Sequence, residues 1–172
     1  ASADGSARVW HIDSGTPASE VMVHDDPLVD IAFSPDGQRL VTAAGNQVRI
    51  WDATTGSPTG DSISNTIRVL SCKFSENRGG ILTILSNGNV ISRSLTDTRP
   101  PRLVMGTRSS SRKKLTAAAI VSGDNALAAA DESGTLVIYE GVQLVRADAY
   151  QSKSRIDNIQ FSANGNFVAA ST

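Results

Sequence analysis

Residues 33 to 52 read FSPDGQRLVTAAGNQVRIWD, and their alternation of apolar runs and turn-forming residues decides the fold. Pro35 restricts φ for a first turn that Gly37 completes, and Gly45 with Asn46 marks a second reversal. The segments between these turns are short and are either apolar or alternating, as in β-strands. The stretch therefore predicts consecutive strands joined by tight turns rather than a catalytic loop.

The same unit predicts four strands, which we letter a to d. Strand a is expected at 28–34, strand b at 39–44, strand c at 47–53 and strand d near 61–67. Large side chains fall on both faces of strand c, because Ile50 and Trp51 are neighbours and point in opposite directions. Packing on both faces is therefore expected, with these residues filling the space between sheets: Phe33, Leu40, Val48, Ile50 and Trp51.

The pattern recurs about every forty residues. Trp10 and Trp51 stand 41 positions apart in similar segments, as do Phe33 and Phe74, and Phe161 marks a further copy. A four-stranded antiparallel sheet packed on both faces and repeated at about this period is the blade of a β-propeller. The expected fold is therefore all-β, a β-propeller of four-stranded antiparallel blades.

The repeats amount to about four blades' worth of sequence. The predicted divisions are a partial blade at 1–23, blades at about 24–67, 68–107 and 115–148, and a partial blade at 154–172. Because the sequence starts and stops inside strand patterns, we expect part of a larger ring. Two chains pairing into one ring, and a closed four-bladed ring, are the alternatives, since closure protects sheet edges.

The FSPDG turn, the VRIWD strand and the ASADGSARVW segment at 1–10 resemble tryptophan-aspartate (WD) repeats. The resemblance implies a propeller whose loop-bearing face holds other proteins. The family often locks a blade with a hydrogen-bonded set of Trp, Ser, Asp and His. Matched residue by residue, the resemblance implies this structural role for Ser2, Asp4, Trp10, His24 and Trp51. Gly45 stands near the position where the set would place its aspartate.

Residues suited to catalysis or metal binding are few. His11 and His24 are the two histidines, Cys72 is the one cysteine, and none has partners at the spacing of a zinc site. Cys72 lies between apolar residues on an alternating strand, which favours a buried side chain. The glycine-containing turns lack the spacing of phosphate-binding loops and open no helix. The sequence therefore predicts no catalytic residues, no cofactor, no metal and no enzyme activity.

Charge and hydropathy indicate neither nucleic acid nor membrane as a partner. Sixteen Lys and Arg against seventeen Asp and Glu leave a net charge of −1, so no global field favours nucleic acid. The longest apolar run, 115–121, is far shorter than the ~20 residues that span a bilayer. The single cysteine fits a reducing compartment, and the location predicted is cytoplasmic.

The GTRSSSRKK segment at 106–114 concentrates positive charge. Its composition favours a solvated flexible loop. The alternative is a functional segment that docks an acidic or phosphorylated partner, or that takes phosphate on its own serines. The predicted partner-binding residues are Arg108, Arg112, Lys113, Lys114, His24 and Asp25.

Three functions are compatible with these observations. The sequence favours a non-catalytic protein-protein interaction scaffold that presents loops on one face of a propeller. A structural or assembly subunit of a larger complex is the first alternative, and a propeller enzyme with a central-channel site is the second. The expected partner is a protein of unknown identity, with self-association as a way to complete the ring.

Overall fold

The structure, a computed structural model, describes residues 2–75, 79–96, 100–106, 114–121, 126–140, 145–162 and 164–172. Every regular element in these ranges is a β-strand. The chain divides into two compact units, Ala1–Phe74 and Ser75–Thr172. Within the described ranges, no helix is long and apolar enough to cross a membrane.

The first unit contains two sheets and all but the last residue of a further strand, Val69–Ser75. Its strands are β1 (Ser6–Ala7), β2 (Met22–Val23), β3 (Leu28–Phe33), β4 (Arg39–Ala44), β5 (Gln47–Asp52), β6 (Ile63–Ser64) and β7 (Val69–Ser75). β1 pairs antiparallel with β2, and β3 to β6 form an antiparallel sheet in sequence order.

The remaining strands continue the same meander. They are β8 (Gly80–Leu85), β9 (Asn89–Ser94), β10 (Arg102–Gly106), β11 (Leu115–Ile120), β12 (Ala126–Asp131), β13 (Thr135–Glu140), β14 (Val145–Gln151), β15 (Asn158–Phe161) and β16 (Val168–Ser171). One sheet has the order β10-β9-β8-β7, the next is β11 to β14 in order, and β15 pairs with β16.

The predicted strands are largely where the structure has them. Strand b was expected at 39–44 and β4 has these bounds, while strand c is one residue shorter and strand d is reduced to Ile63–Ser64. The second strands, β4, β8 and β12, are the most buried because other strands flank them and both faces are packed.

The core consists of apolar layers between neighbouring sheets. In the first unit Leu40 and Trp51 pack against Ala7 and Met22 of the β1–β2 pair. Among the described residues of the second unit, one layer is centred on Leu82, Ile84 and Leu127 and another on Ala128, Leu136 and Ile159. Burial of such layers is the main stabilising contribution to the fold.

One residue departs from the expected packing. Phe33 was predicted to fill the space between sheets, but its side chain is 55% exposed. The physical reason is that the sheet preceding it in the described structure has only the two short strands β1 and β2.

Candidate protein-binding face

One end of the β3–β6 sheet gathers a turn and two loops. The β4–β5 turn at 45–46, the loop into β3 and the segment after β6 lie at this end because antiparallel strands alternate in direction. Val69 N donates to Gly45 O at 2.9 Å, and Asn65 N donates to Asn46 O at 2.9 Å. The side-chain amides of Asn46 and Asn65 also donate to each other's carbonyls, at 3.0 and 3.2 Å. The turn and the loop are therefore fastened together.

The turn before β1 is held to the loop into β3 in a similar way. His24 N donates to Gly5 O at 2.9 Å. Gly5 has φ +83°, and a Cβ there would lie 2.6 Å from the His24 carbonyl, so this close approach requires glycine. We call residues 2–5, 24–27, 45–46 and 65–68 the first-unit loop face.

Ser2 and Asp4 shape that turn. Asp4 N donates to Ser2 Oγ at 3.4 Å, and Ser6 N donates to Asp4 Oδ1 at 2.8 Å. The hydrogen bonds from Ser6 hold the pKa of the Asp4 carboxyl below its usual value. Both predicted locking residues thus act locally, as turn-forming side chains do.

In the second unit, hydrogen bonds also fasten a turn between strands to the neighbouring loops. Ser152 N donates to Gly134 O at 2.9 Å, and Glu132 N donates to Lys114 O at 3.1 Å. Gln151 Nε2 donates to Ser133 O at 2.8 Å. We call residues 86–88, 114, 132–134 and 152–155 the second-unit loop face.

Of the four cations predicted to bind a partner, Lys114 lies in the described part of the chain. Its side chain is exposed while its backbone carbonyl is held by Glu132. Exposed Lys153 and Arg155 belong to the same face and were not singled out from the sequence. The other three predicted cations, Arg108, Arg112 and Lys113, lie outside the described residues.

A buried hydrogen-bonded group joins His24, Thr42 and Trp51. Trp51 Nε1 donates to Thr42 Oγ1 at 2.7 Å, and His24 Nε2 lies 2.6 Å from the same oxygen. The imidazole meets the indole edge to face at 5.8 Å between ring centroids. Thr42 is fully buried and the two rings are nearly so. Burial, together with the nearby Arg49 charge, lowers the pKa of His24.

Thr42 is the member of this group that the sequence reasoning missed. It stands on strand b, nine residues before Trp51, and a hydroxyl residue is one of the four types that the family's locking set uses. That signal was available in the sequence. Trp10, predicted to have the same role as Trp51, is instead 55% exposed, with the Arg8 guanidinium 5.7 Å from its ring centroid.

His24 and Asp25 are neighbours with opposite surroundings. His24 was predicted to contact a partner, but its ring is buried and faces inward. The Asp25 side chain is 90% exposed and lies 3.8 Å from Arg49, which also donates to Val23 O at 2.9 Å. Because the Asp25 side chain is exposed, it is accessible to a partner. An exposed ion pair of this kind contributes little stability.

Asp30 connects two first strands of neighbouring sheets. Its Oδ2 accepts hydrogen bonds from Ser71 Oγ at 2.7 Å and from Cys72 N at 2.9 Å, and its Oδ1 accepts from Ile31 N at 2.8 Å. Burial raises the pKa of this carboxyl despite these bonds. The three accepted bonds give Asp30 a structural role in joining β3 to β7.

Cys72 is buried, as predicted, with 1% of its surface exposed. Burial raises the pKa of its thiol well above the usual value, and the Asp30 carboxylate adds to the effect. A thiol in this setting is a poor nucleophile. In the part of the chain that the structure describes, no three His, Cys, Asp or Glu side chains cluster as metal ligands.

The family model "WD domain, G-beta repeat" matches residues 15–52. An uncharacterized WD repeat-containing protein of Schizosaccharomyces pombe is 33% identical over 57 residues. The chain carries a WD repeat. The aligned part is 33% of this chain and 15% of that relative, so the WD-repeat chain spans a small share of the relative's length.

Solved structures match nearly the whole WD-repeat chain. The β-propeller domain of Cps50 (Swd1) from Myceliophteria thermophila has a TM-score of 0.75 at 15% identity, covering 98% of this chain and 56% of that one. The computationally designed Ika8 protein has a TM-score of 0.69 at 19% identity, covering 98% and 50%. The fold is that of a β-propeller, as the sequence predicted, and this chain spans about half the length of each match.

Proposed function

We propose that this WD-repeat chain is a non-catalytic scaffold that binds protein partners through its two loop faces. The proposal is supported chiefly by the backbone hydrogen bonds that fasten turns to loops, such as Val69 N to Gly45 O and Ser152 N to Gly134 O, both 2.9 Å. Loops held in this way lose little entropy on binding, which favours recognition. WD propellers as a family generally bind proteins.

The charges on the two loop faces differ and indicate different ligands. The first-unit loop face exposes three acids, Asp4, Asp25 and Asp26, and one cation, Arg68. The second-unit loop face exposes three cations, Lys114, Lys153 and Arg155, and one acid, Glu132. Arg155 pairs with Asp157 at 2.7 Å. We propose that the second-unit loop face, together with Arg108, Arg112 and Lys113, binds an acidic or phosphorylated segment of a protein.

Charge neutralisation tests this proposal. Lys114→Gln and Lys153→Gln each remove one exposed charge from the second-unit loop face. Arg102→Gln is the matched control, because Arg102 is also exposed but begins β10, at the opposite end of its sheet. Protein captured by the chain from cell extract is measured at rising salt concentration.

The two lysine variants should lose captured protein at lower salt than the unmodified chain, and the control should not. Equal loss in the control, or unchanged capture in all variants, contradicts the loop-face proposal. The alternative, a fixed assembly subunit, requires a mostly apolar contact of about 2,000 Å² or more in the complex.

We also propose a cytoplasmic location, supported by a single free cysteine that is buried. Fractionation of cells producing the protein with a tag checks this proposal.

A further inference from the structure

Three of the six prolines in the chain follow a serine or a threonine, at Thr16–Pro17, Ser34–Pro35 and Ser57–Pro58. A hydroxyl residue followed by proline is the sequence that proline-directed kinases recognise. Proline also favours an extended backbone at the preceding residue, which is the form in which a kinase binds its substrate. The three pairs carry the same sequence signal, so their surroundings in the folded chain decide which hydroxyl a kinase can reach.

Ser34 is withdrawn from solvent, with 4% of its surface exposed. Its Oγ donates to Asp36 Oδ1 at 2.5 Å and accepts from Arg39 N at 2.9 Å. The hydroxyl therefore holds the turn between β3 and β4. Phosphorylation of Ser34 would require this turn to open.

Thr16 is exposed, but its hydroxyl has a partner. Its Oγ1 lies 2.7 Å from Ser14 Oγ, and its carbonyl accepts a hydrogen bond from His11 N at 2.9 Å. Transfer of a phosphoryl group to Thr16 would first break the contact between the two hydroxyls. This contact makes Thr16 the weaker of the two exposed candidates.

Ser57 is exposed and its hydroxyl is free. It lies in the loop between β5 and β6, and within the described chain its Oγ has no hydrogen-bond partner. Its backbone, in contrast, is held at both sides. The N–H donates to Thr55 Oγ1 at 3.1 Å, and the carbonyl accepts from Asp52 N at 2.9 Å. The hydroxyl therefore remains available as a nucleophile.

The residues that follow Ser57 form a continuous accessible segment. Each residue from 57 to 62 is exposed and none belongs to the buried core. Backbone hydrogen bonds from Asp52 N to Ser57 O and from Thr59 N to Ile50 O, both 2.9 Å, fasten the segment to β5. Opening it breaks few hydrogen bonds and exposes little apolar surface. A kinase can therefore bind this edge segment without unfolding the sheet.

We propose that Ser57 is the phosphorylation site of a proline-directed serine kinase. Ser57 Oγ attacks the γ-phosphorus of ATP, and the new Oγ–P bond forms as the bond from phosphorus to the ADP oxygen breaks. A carboxylate base of the kinase takes the hydroxyl proton. The product carries an added charge of about −1.5 to −2 at neutral pH.

The loop that carries Ser57 offers the phosphate no cation from its own sequence. No lysine or arginine occurs between Arg49 and Arg68. Arg39, which begins β4 beside the end of β5, has its guanidinium 5.3 Å from the ring centroid of Phe74. We expect the phosphate to stay in solvent, where arginine side chains of a partner can bind it. Phosphorylation should therefore leave the melting temperature of the chain nearly unchanged.

The Ser57 site is separate from the first-unit loop face. Strand β5 runs from the turn at 45–46, on that face, to the loop that carries Ser57, so the two lie at opposite ends of the sheet. The inference therefore does not rest on the function proposed for the loop faces.

Mass spectrometry after kinase treatment tests the proposal. The folded 172-residue chain is incubated with ATP and a mitogen-activated protein kinase, which requires proline after its target residue. The mass should rise by one phosphoryl group, and fragmentation of tryptic peptides should place that group on Ser57. Ser57→Ala should abolish the gain, and Pro58→Ala should do so while keeping the hydroxyl. Thr16→Ala is the matched control and should keep the gain.

A tryptic digest of the unmodified chain, treated with the same kinase, separates the effect of the fold from that of the sequence. Thr16, Ser34 and Ser57 should all take phosphate in the digest, whereas the folded chain should take it on Ser57. A folded chain that stays unmodified at Ser57, or that takes phosphate on Thr16 or Ser34 in preference, would overturn the proposal. Circular dichroism of each variant establishes that it is folded.

Discussion

Trp51 and Thr42 are joined by a hydrogen bond of 2.7 Å between adjacent strands, and the same threonine oxygen lies 2.6 Å from His24 Nε2. The hydroxyl therefore holds two aromatic side chains that are far apart in sequence. The whole group is withdrawn from solvent, so each polar atom depends on its partner in the group.

Replacing the central hydroxyl should destabilise the first unit. Thr42→Val leaves the Trp51 N–H and the His24 ring nitrogen without their partner in a buried position. We expect a loss of about 1–3 kcal/mol in the free energy of unfolding, measured by urea denaturation. Thr42→Ser keeps the hydroxyl and should lose clearly less. Equal losses in the two variants would show that the methyl group, and not the hydrogen bonds, matters at this position.

Stability should fall as the pH is lowered below the ordinary His24 pKa of 6.5. The folded state lowers the pKa of His24, so between the folded value and 6.5 the unfolded chain binds more protons. The contribution of His24 is therefore present in full above 6.5 and is lost as the pH falls through the folded pKa. Urea midpoints at pH 7.5 and 5.5 measure the effect.

His24→Gln is the control for this pH dependence, since its amide does not titrate in the range. The variant should be less stable at pH 7.5 and should lose less on acidification than the unmodified chain. An identical loss between pH 7.5 and 5.5 in both proteins would assign the effect to other groups.

Removing the Asp30 carboxylate should also destabilise the fold. Asp30→Ala deprives Ser71 Oγ and Cys72 N of their acceptor, and we expect a loss of about 1–3 kcal/mol in urea denaturation. Asp30→Asn keeps one acceptor oxygen without a buried charge and should lose less. If alanine were tolerated as well as asparagine, these hydrogen bonds would not contribute to stability.

Gly45 should tolerate alanine less well than Gly37 does. Both have positive φ, +54° and +70°, which costs any L-residue about 1 kcal/mol. A Cβ at Gly45 would also displace the exposed Asp26 carboxylate, which can turn aside at a small cost, whereas nothing lies within 4 Å of one at Gly37.

Thermal melts of Gly45→Ala and Gly37→Ala should therefore show a slightly larger decrease in melting temperature at Gly45. In an Asp26→Ala background the collision is absent, and the two decreases should become similar. A difference that persists in this background would mean that another neighbour restricts Gly45.

The strands and turns were predictable because their signals are local. Turn-forming residues such as Pro35 and Gly37 act within four residues, and the apolar alternation of strand c spans six. The internal repeat then predicted the β-propeller fold. The short fourth strand, Ile63–Ser64, was overestimated because its segment is rich in polar residues that fit a strand or a loop equally well.

Less of the candidate site was predictable. Asp25 was selected with His24, but one side chain is exposed and the other is buried. Lys153 and Arg155 were overlooked because they are far from Lys114 in the sequence. They share a face with Lys114 only through the turn at 132–134 and the loop that follows β14.

The sequence by itself determined the strand order, the turns and the repeat, since these depend on neighbouring residues along the chain. The tertiary structure alone decided that Thr42 joins His24 to Trp51, that Asp30 reaches Ser71, and that Phe33 is open while Phe74 is covered. These outcomes depend on which strand packs beside each residue. Contacts between residues about 20 to 40 positions apart are set by the pairing and stacking of sheets, which no short stretch of sequence encodes.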